Sequence, residues 1–117
     1  MSEQLVTLER VKEAYEASFD DINGRKYEIT KTPHRDRQVV FAFYSEIQKK
    51  CGGGFEFLSW PTYPAIERIL CDRLTFEGVQ ISKRKNHWDD YPEDFLQFVQ
   101  IAMGVISYPF VRGGHGG

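Results

Sequence analysis

Two cysteines, Cys51 and Cys71, are all the chain has, too few for the disulfide framework that staples small secreted domains. With no signal-like segment at the start, this predicts two reduced thiols in a cytoplasmic protein. No apolar run is long enough to span a bilayer. Positive charge is not in excess: 15 Lys and Arg stand against 17 Asp and Glu, a net charge of −2. That is a poor match to a polyanion, so duplex nucleic acid is not the expected partner. No glycine-rich loop is followed by Lys-Ser/Thr, and Gly52-Gly53-Gly54 ends a helix instead of opening one. No catalytic constellation is visible, so no enzyme activity, cofactor or metal is expected.

What is present is an aromatic-rich chain. Hydrophobic residues make up 41 % of its 117 positions and aromatics 15 %, which excludes disorder and predicts one packed domain. That domain is expected over residues 1–110, with 111–117 a disordered Gly-rich tail. The fold class expected is α+β, predominantly α, with a small β-hairpin near the N-terminus.

The hairpin is the sharpest local signal. Ile22-Asn23-Gly24-Arg25 offers Asn-Gly as the two central residues of a type I′ turn, where both must take positive φ. Tyr27 and Ile29 alternate with Lys26, Glu28 and Thr30, so one face of the second strand is apolar. Two strands alone are marginal in water, so the hairpin must lean on helices or gain a third strand. Leu74 to Ile81 alternates around Gly78 and can form a second small hairpin or an extended edge. Phe55 to Leu58 also reads as a short strand.

Helices fill the remainder. Thr7 can cap a helix to about Ser18, with Leu8, Val11 and Tyr15 on one face. Thr32 is a good N-cap with Pro33 at the first helical position, opening a helix to about Lys50 that carries Val40, Phe43 and Ile47. Lys49 and Lys50 suit its C-terminal dipole, and the glycine run terminates it. A third helix is predicted over 63–73. Asp90 and Glu93 match a capping box, with Pro92 in the first turn, for a last helix over about 91–106. Phe95, Phe98 and Val99 belong to its core face, and Pro109 should stop it.

Four clusters carry polar chemistry. His87, Asp89, Asp90, Glu93 and Asp94 are the densest, and such a set can hold a divalent cation. A helix start explains Asp90 and Glu93 without one. His34-Arg35-Asp36-Arg37 reads as a solvated first turn. Lys83-Arg84-Lys85 beside Trp88 is a basic patch with an adjacent aromatic, as single-strand binders use, but three cations are few. Cys51 lies by Lys49 and Lys50, yet at a helix C-terminus, where the dipole opposes a thiolate.

Three passages together resemble a known family. They are Phe19 to Ile29, the Thr32 helix opening with Arg35-Asp36-Arg37, and Val79 to Ile106 with Asp90-Tyr91-Pro92-Glu93-Asp94-Phe95-Leu96. Over about residues 19–106 the chain is similar to the tail assembly chaperones of tailed bacteriophages. The resemblance implies a mostly helical, non-catalytic protein that binds the tape measure protein and self-associates during tail assembly. No catalytic or ligand residue carries over. A partner is expected around Trp60, Tyr63, Trp88, Tyr91 and Tyr108, near loops and helix ends. The alternative is a small phage or mobile-element protein that binds and inhibits a host or defence complex.

Overall fold

The computed structural model describes residues 8–17, 19, 21–52 and 54–116. Residues 1–6, Thr7 and Ser18, for which a mobile end, a cap and a helix end were expected, lie outside them. The chain is a mainly helical α+β domain. In order come α1 (Leu8–Glu16), β1 (Asp21–Ile22), β2 (Arg25–Ile29), α2 (His34–Lys50), α3 (Tyr63–Arg73), β3 (Leu74–Phe76), β4 (Val79–Gln80), α4 (His87–Asp90) and α5 (Phe95–Gly116). Short 3₁₀ turns fall at Glu56–Ser59, Ile81–Lys83 and Pro92–Asp94. Among the described residues no helix is long and apolar enough to cross a membrane.

Both hairpins form, and for the same reason. Asn23 and Gly24 take φ of 53° and 82°, and Glu77 and Gly78 take 55° and 80°, the paired positive values of type I′ turns. The first hairpin pairs Ile22 with Arg25. It gains its third strand when β2 pairs with β3, setting Tyr27 against Phe76 and Ile29 against Leu74. The result is an antiparallel sheet in the order β1-β2-β3-β4. One face is apolar: Ile22, Tyr27, Leu74 and Phe76 are buried. By the same alternation Arg25 falls on that face, in phase with Tyr27.

The last helix, α5, is the centre of the domain. Phe98, Val99, Ile101, Ala102, Val105 and Ile106 have no exposed surface. α1 and α2 both pack along it, which is why its apolar stripe covers more than half its circumference. Phe98 and Val99 join Val40, Phe43 and Ile47 in one cluster, with Phe95 packed against it. α1 approaches closely because Gly104 has no side chain. A Cβ there would stand 2.7 Å and 3.1 Å from the two γ-methyls of Val11. Gly104→Ala is therefore expected to lower stability by about 1 kcal/mol, since overpacking exceeds the gain in helix propensity. Adding Val11→Ala should restore the loss. Urea unfolding of the single and double variants checks it, and a net gain in the single variant would show that α1 yields freely.

Several local expectations are corrected. Phe55–Leu58 is not a strand: Glu56–Ser59 forms a 3₁₀ turn that buries Phe57. α2 starts one residue later than expected, with Pro33 as N-cap. Thr32 does not cap it. Its hydroxyl is buried and donates back to the Thr30 carbonyl at 3.3 Å. Gly52, with φ of 52°, does end this helix as expected. The first turn of α2 is less solvated than expected: Asp36 pairs with Arg73 at 3.1 Å.

Pro109 does not stop α5, and residues 111–116, expected to be a disordered tail, continue its backbone as helix. A proline removes one helical hydrogen bond, here the one Val105 would accept. Arg37 of α2 donates to the neighbouring Ile106 carbonyl at 2.8 Å, which supplies a bond beside the break.

Candidate functional site: a buried polar cluster at the hairpin

The residues around 87–94, expected as a capped helix start, are arranged otherwise. Asp90 is the last residue of α4, not the N-cap of the next helix. α5 begins only at Phe95, after the 3₁₀ turn Pro92–Asp94. Without a capping role, the carboxylates of Glu93 and Asp94 turn to the hairpin.

Asp94 is fully buried, and a buried carboxylate needs partners. It accepts four hydrogen bonds: from Asn23 Nδ2 at 2.7 Å, from Arg25 Nε at 2.8 Å and Nη2 at 3.1 Å, and from the Tyr27 hydroxyl at 2.7 Å. The Arg25 fork is bidentate, the strong form of such a pair. Arg25 also pairs with Glu93 and lies over the Tyr91 ring, 4.4 Å from its centre. The turn is thus bonded to the start of α5 by the two residues it presents, Asn23 and Arg25, and by Tyr27 behind them.

The cluster extends inward from Tyr27. His87 Nε2 lies 2.9 Å from the Tyr27 oxygen, and Arg84 Nε donates to His87 Nδ1 at 3.1 Å. Since arginine always donates, Nδ1 must accept and the neutral ring carries its proton on Nε2. Donation then runs one way, from Arg84 to His87 to Tyr27 to Asp94. Around it stand aromatic faces: Phe76 and Tyr91 against His87 at 5.0 and 5.2 Å, and Trp88 against Phe98 at 4.8 Å.

These surroundings set the protonation states. Burial would raise Asp94, but hydrogen bonds from Arg25, Asn23 and Tyr27 override it and hold the carboxyl below its ordinary value. Burial, then the Arg84 charge, pushes His87 down. Burial, then the Asp94 bond, pushes Tyr27 up, so it stays a phenol. Burial also lifts the Cys71 thiol to about 12, far from a reactive thiolate.

Stability should follow these directions. The folded His87 ring resists a proton that the unfolded chain accepts near pH 6.5. Its contribution is complete above that value and is lost as pH falls below it. Asp94 contributes fully above about pH 3.8, its ordinary value, and is lost on further acidification. Urea midpoints measured from pH 8 to pH 3 should therefore fall in two steps, one below 6.5 and one below 3.8. A flat profile between pH 7 and 5 would contradict the first step.

The expected partner residues divide on inspection. Tyr63 and Tyr108 are buried, 5 % and 7 % exposed, because helix packing draws both rings inside. Tyr63 lies against Phe57 and Phe43, and Tyr108 against Tyr15. Both rings contribute to the core instead of the surface. Trp60, Trp88 and Tyr91 are half-buried and packed on the core. The large exposed hydrophobic side chains among the described residues are Val39 and Val79, so the aromatics mostly face one another. In the basic patch, Arg84 turns inward, and its guanidinium lies over the Phe76 ring at 4.7 Å. Both cysteines are free thiols. No three His, Cys, Asp or Glu side chains among the described residues group to hold a metal ion.

The signal for the cluster was Arg25. Its place in phase with Tyr27 and Ile29 put a cation on an apolar face, which requires a buried acid. A comparison with family models, curated proteins and solved structures returns no match.

Proposed function

We propose that this protein works by binding another protein and performs no catalysis, in the manner of the phage tail assembly chaperones it resembles, with the tape measure protein as partner. The observation that supports this is the use of Asp94, Tyr27 and His87. These side chains, the best suited to acid–base work, are buried and bonded to one another. They tie hairpin to helix and are spent on structure.

The contact surface we infer runs from Val79 to Tyr91 and Trp88. Val79 is 42 % exposed and pairs across strands with Phe76, whose ring lies 5.5 Å from Tyr91. Half-exposed aromatics beside an exposed aliphatic suit an interface anchor. Co-expression with a tape measure protein should give a soluble complex. Val79→Glu should weaken it by about tenfold or more, a loss of at least about 1.4 kcal/mol, with thermal unfolding unchanged. A monomer that ignores every tape measure segment defeats this reading and favours inhibition of a host or defence complex.

A further inference from the structure

The chain of donation from Arg84 to Asp94 has one member that acid can reverse. Its ends are fixed: an arginine that always donates and an ionised carboxylate that always accepts. Tyr27 gives its proton to Asp94, so its oxygen accepts from His87 Nε2. That leaves His87 Nδ1 as the acceptor for Arg84. A second proton on the ring would land on Nδ1, facing Arg84 Nε at 3.1 Å. Two donors and two positive charges would then oppose each other where His87 is 3 % exposed. Such a pair cannot persist there.

Arg84 is the member free to leave. Besides His87, it lies over Phe76 and makes a long contact to Glu77 at 3.9 Å, with that carboxylate 71 % exposed. Asp94, by contrast, is held by four bonds inside the domain. Arg84 also follows directly on the 3₁₀ turn Ile81–Lys83, so it joins the β3–β4 hairpin and that turn to α4. On its outer side lies a cleft of about 330 Å³, lined by Glu67, Cys71, Arg84, His87, Trp88 and Asp89 among others, into which the guanidinium can swing.

We propose that His87 and Arg84 form a proton-operated latch: a proton on the His87 ring expels the Arg84 side chain and widens the cleft at Trp88, while the buried Ile81 and the bond from Gln80 Nε2 to the Asp72 carbonyl at 2.7 Å keep the backbone in place. Every charged neighbour enters the balance. Arg84 and Arg25 oppose the proton, whereas Asp94 beyond Tyr27 and Asp90 on its own helix favour it. Glu67 of α3 and Asp89 line the same cleft and offer the departing guanidinium an acidic wall. Cys71 there stays a neutral thiol. Burial weighs against the proton, so the latch is shut at neutral pH and opens in mild acid. The latch does not depend on who the partner is.

The test is an NMR titration of the three histidine rings in the intact chain, with amide exchange followed residue by residue. The His87 ring should remain neutral below its ordinary value near 6.5. When it takes its proton, the Arg84 Nε–H should exchange at least about tenfold faster before the amides of 98–106 change. Arg84→Gln supplies the control. Its amide can present either nitrogen or oxygen to Nδ1, so a protonated ring is tolerated without release. In that variant the His87 pKa should rise by about one unit or more. Three results would overturn the latch. One is an unchanged His87 titration in Arg84→Gln. Another is release of the Arg84 Nε–H only below about pH 4, where Asp94 would be responsible. The last is its release together with loss of protection in 98–106, which is global unfolding.

Discussion

Asp94→Asn is expected to lower the free energy of unfolding by about 3–5 kcal/mol, the usual result of removing one partner of a buried ion pair. The substitution keeps the volume and removes the charge. Its new NH₂ group must face at least one of the donors now aimed at the carboxylate, which come from Asn23, Arg25 and Tyr27. Arg25, with its side chain 25 % exposed, recovers part of its solvation by turning outward. Tyr27, fully buried, cannot, and an orphaned hydroxyl costs about 1–3 kcal/mol by itself. Urea unfolding at pH 7 measures the sum. A loss below about 1 kcal/mol would mean that the cluster is decoration on a core stable without it.

Phe98→Ala should cost a similar amount, about 3–5 kcal/mol, by a different route. Its ring meets Phe19 at 6.2 Å, Tyr27 at 5.7 Å and Trp88 at 4.8 Å, and none of its surface is exposed. Truncation loses the transfer energy of a buried ring and leaves a cavity between elements that cannot all collapse into it. The Trp88 environment should change with it, giving a shifted fluorescence maximum in the folded state. Because Tyr27 touches both Phe98 and Asp94, the two losses should not add. A Phe98→Ala loss under 1 kcal/mol would place the ring at a yielding surface.

What could be read ahead of the structure was local chemistry. Asn23-Gly24 announced its turn because few residue pairs tolerate two positive φ values in succession. Val40, Phe43 and Ile47 announced a buried stripe by spacing alone. Local reasoning failed where a residue had a distant partner. Asp90 and Glu93 fit a capping box by their spacing, yet Glu93 and Asp94 bond Arg25, some seventy positions away in the chain. The spacing that fits a cap also fits a short 3₁₀ turn, and only the tertiary partner decides between them. Pro109 misled for a related reason. Proline removes only the bond that the Val105 carbonyl would accept, and Arg37 of α2 holds the next carbonyl, Ile106, where the helix would otherwise part. Tyr63 and Tyr108 stand near helix ends in sequence, where partners can reach. In three dimensions those ends fold onto Phe43, Phe57 and Tyr15.

The Asp94 cluster gives the second strand a reason to carry a cation on its apolar face and gives α5 a fixed start. It also keeps the best acid–base candidates occupied with structure. A double-mutant cycle on Arg25→Ala and Asp94→Ala, read by urea unfolding at pH 7, tests this most directly. The account predicts that the double variant loses less than the sum of the single losses, by more than about 1.5 kcal/mol. Additivity to within about 0.3 kcal/mol would contradict it and leave Asp94 free for a role other than locking hairpin to helix.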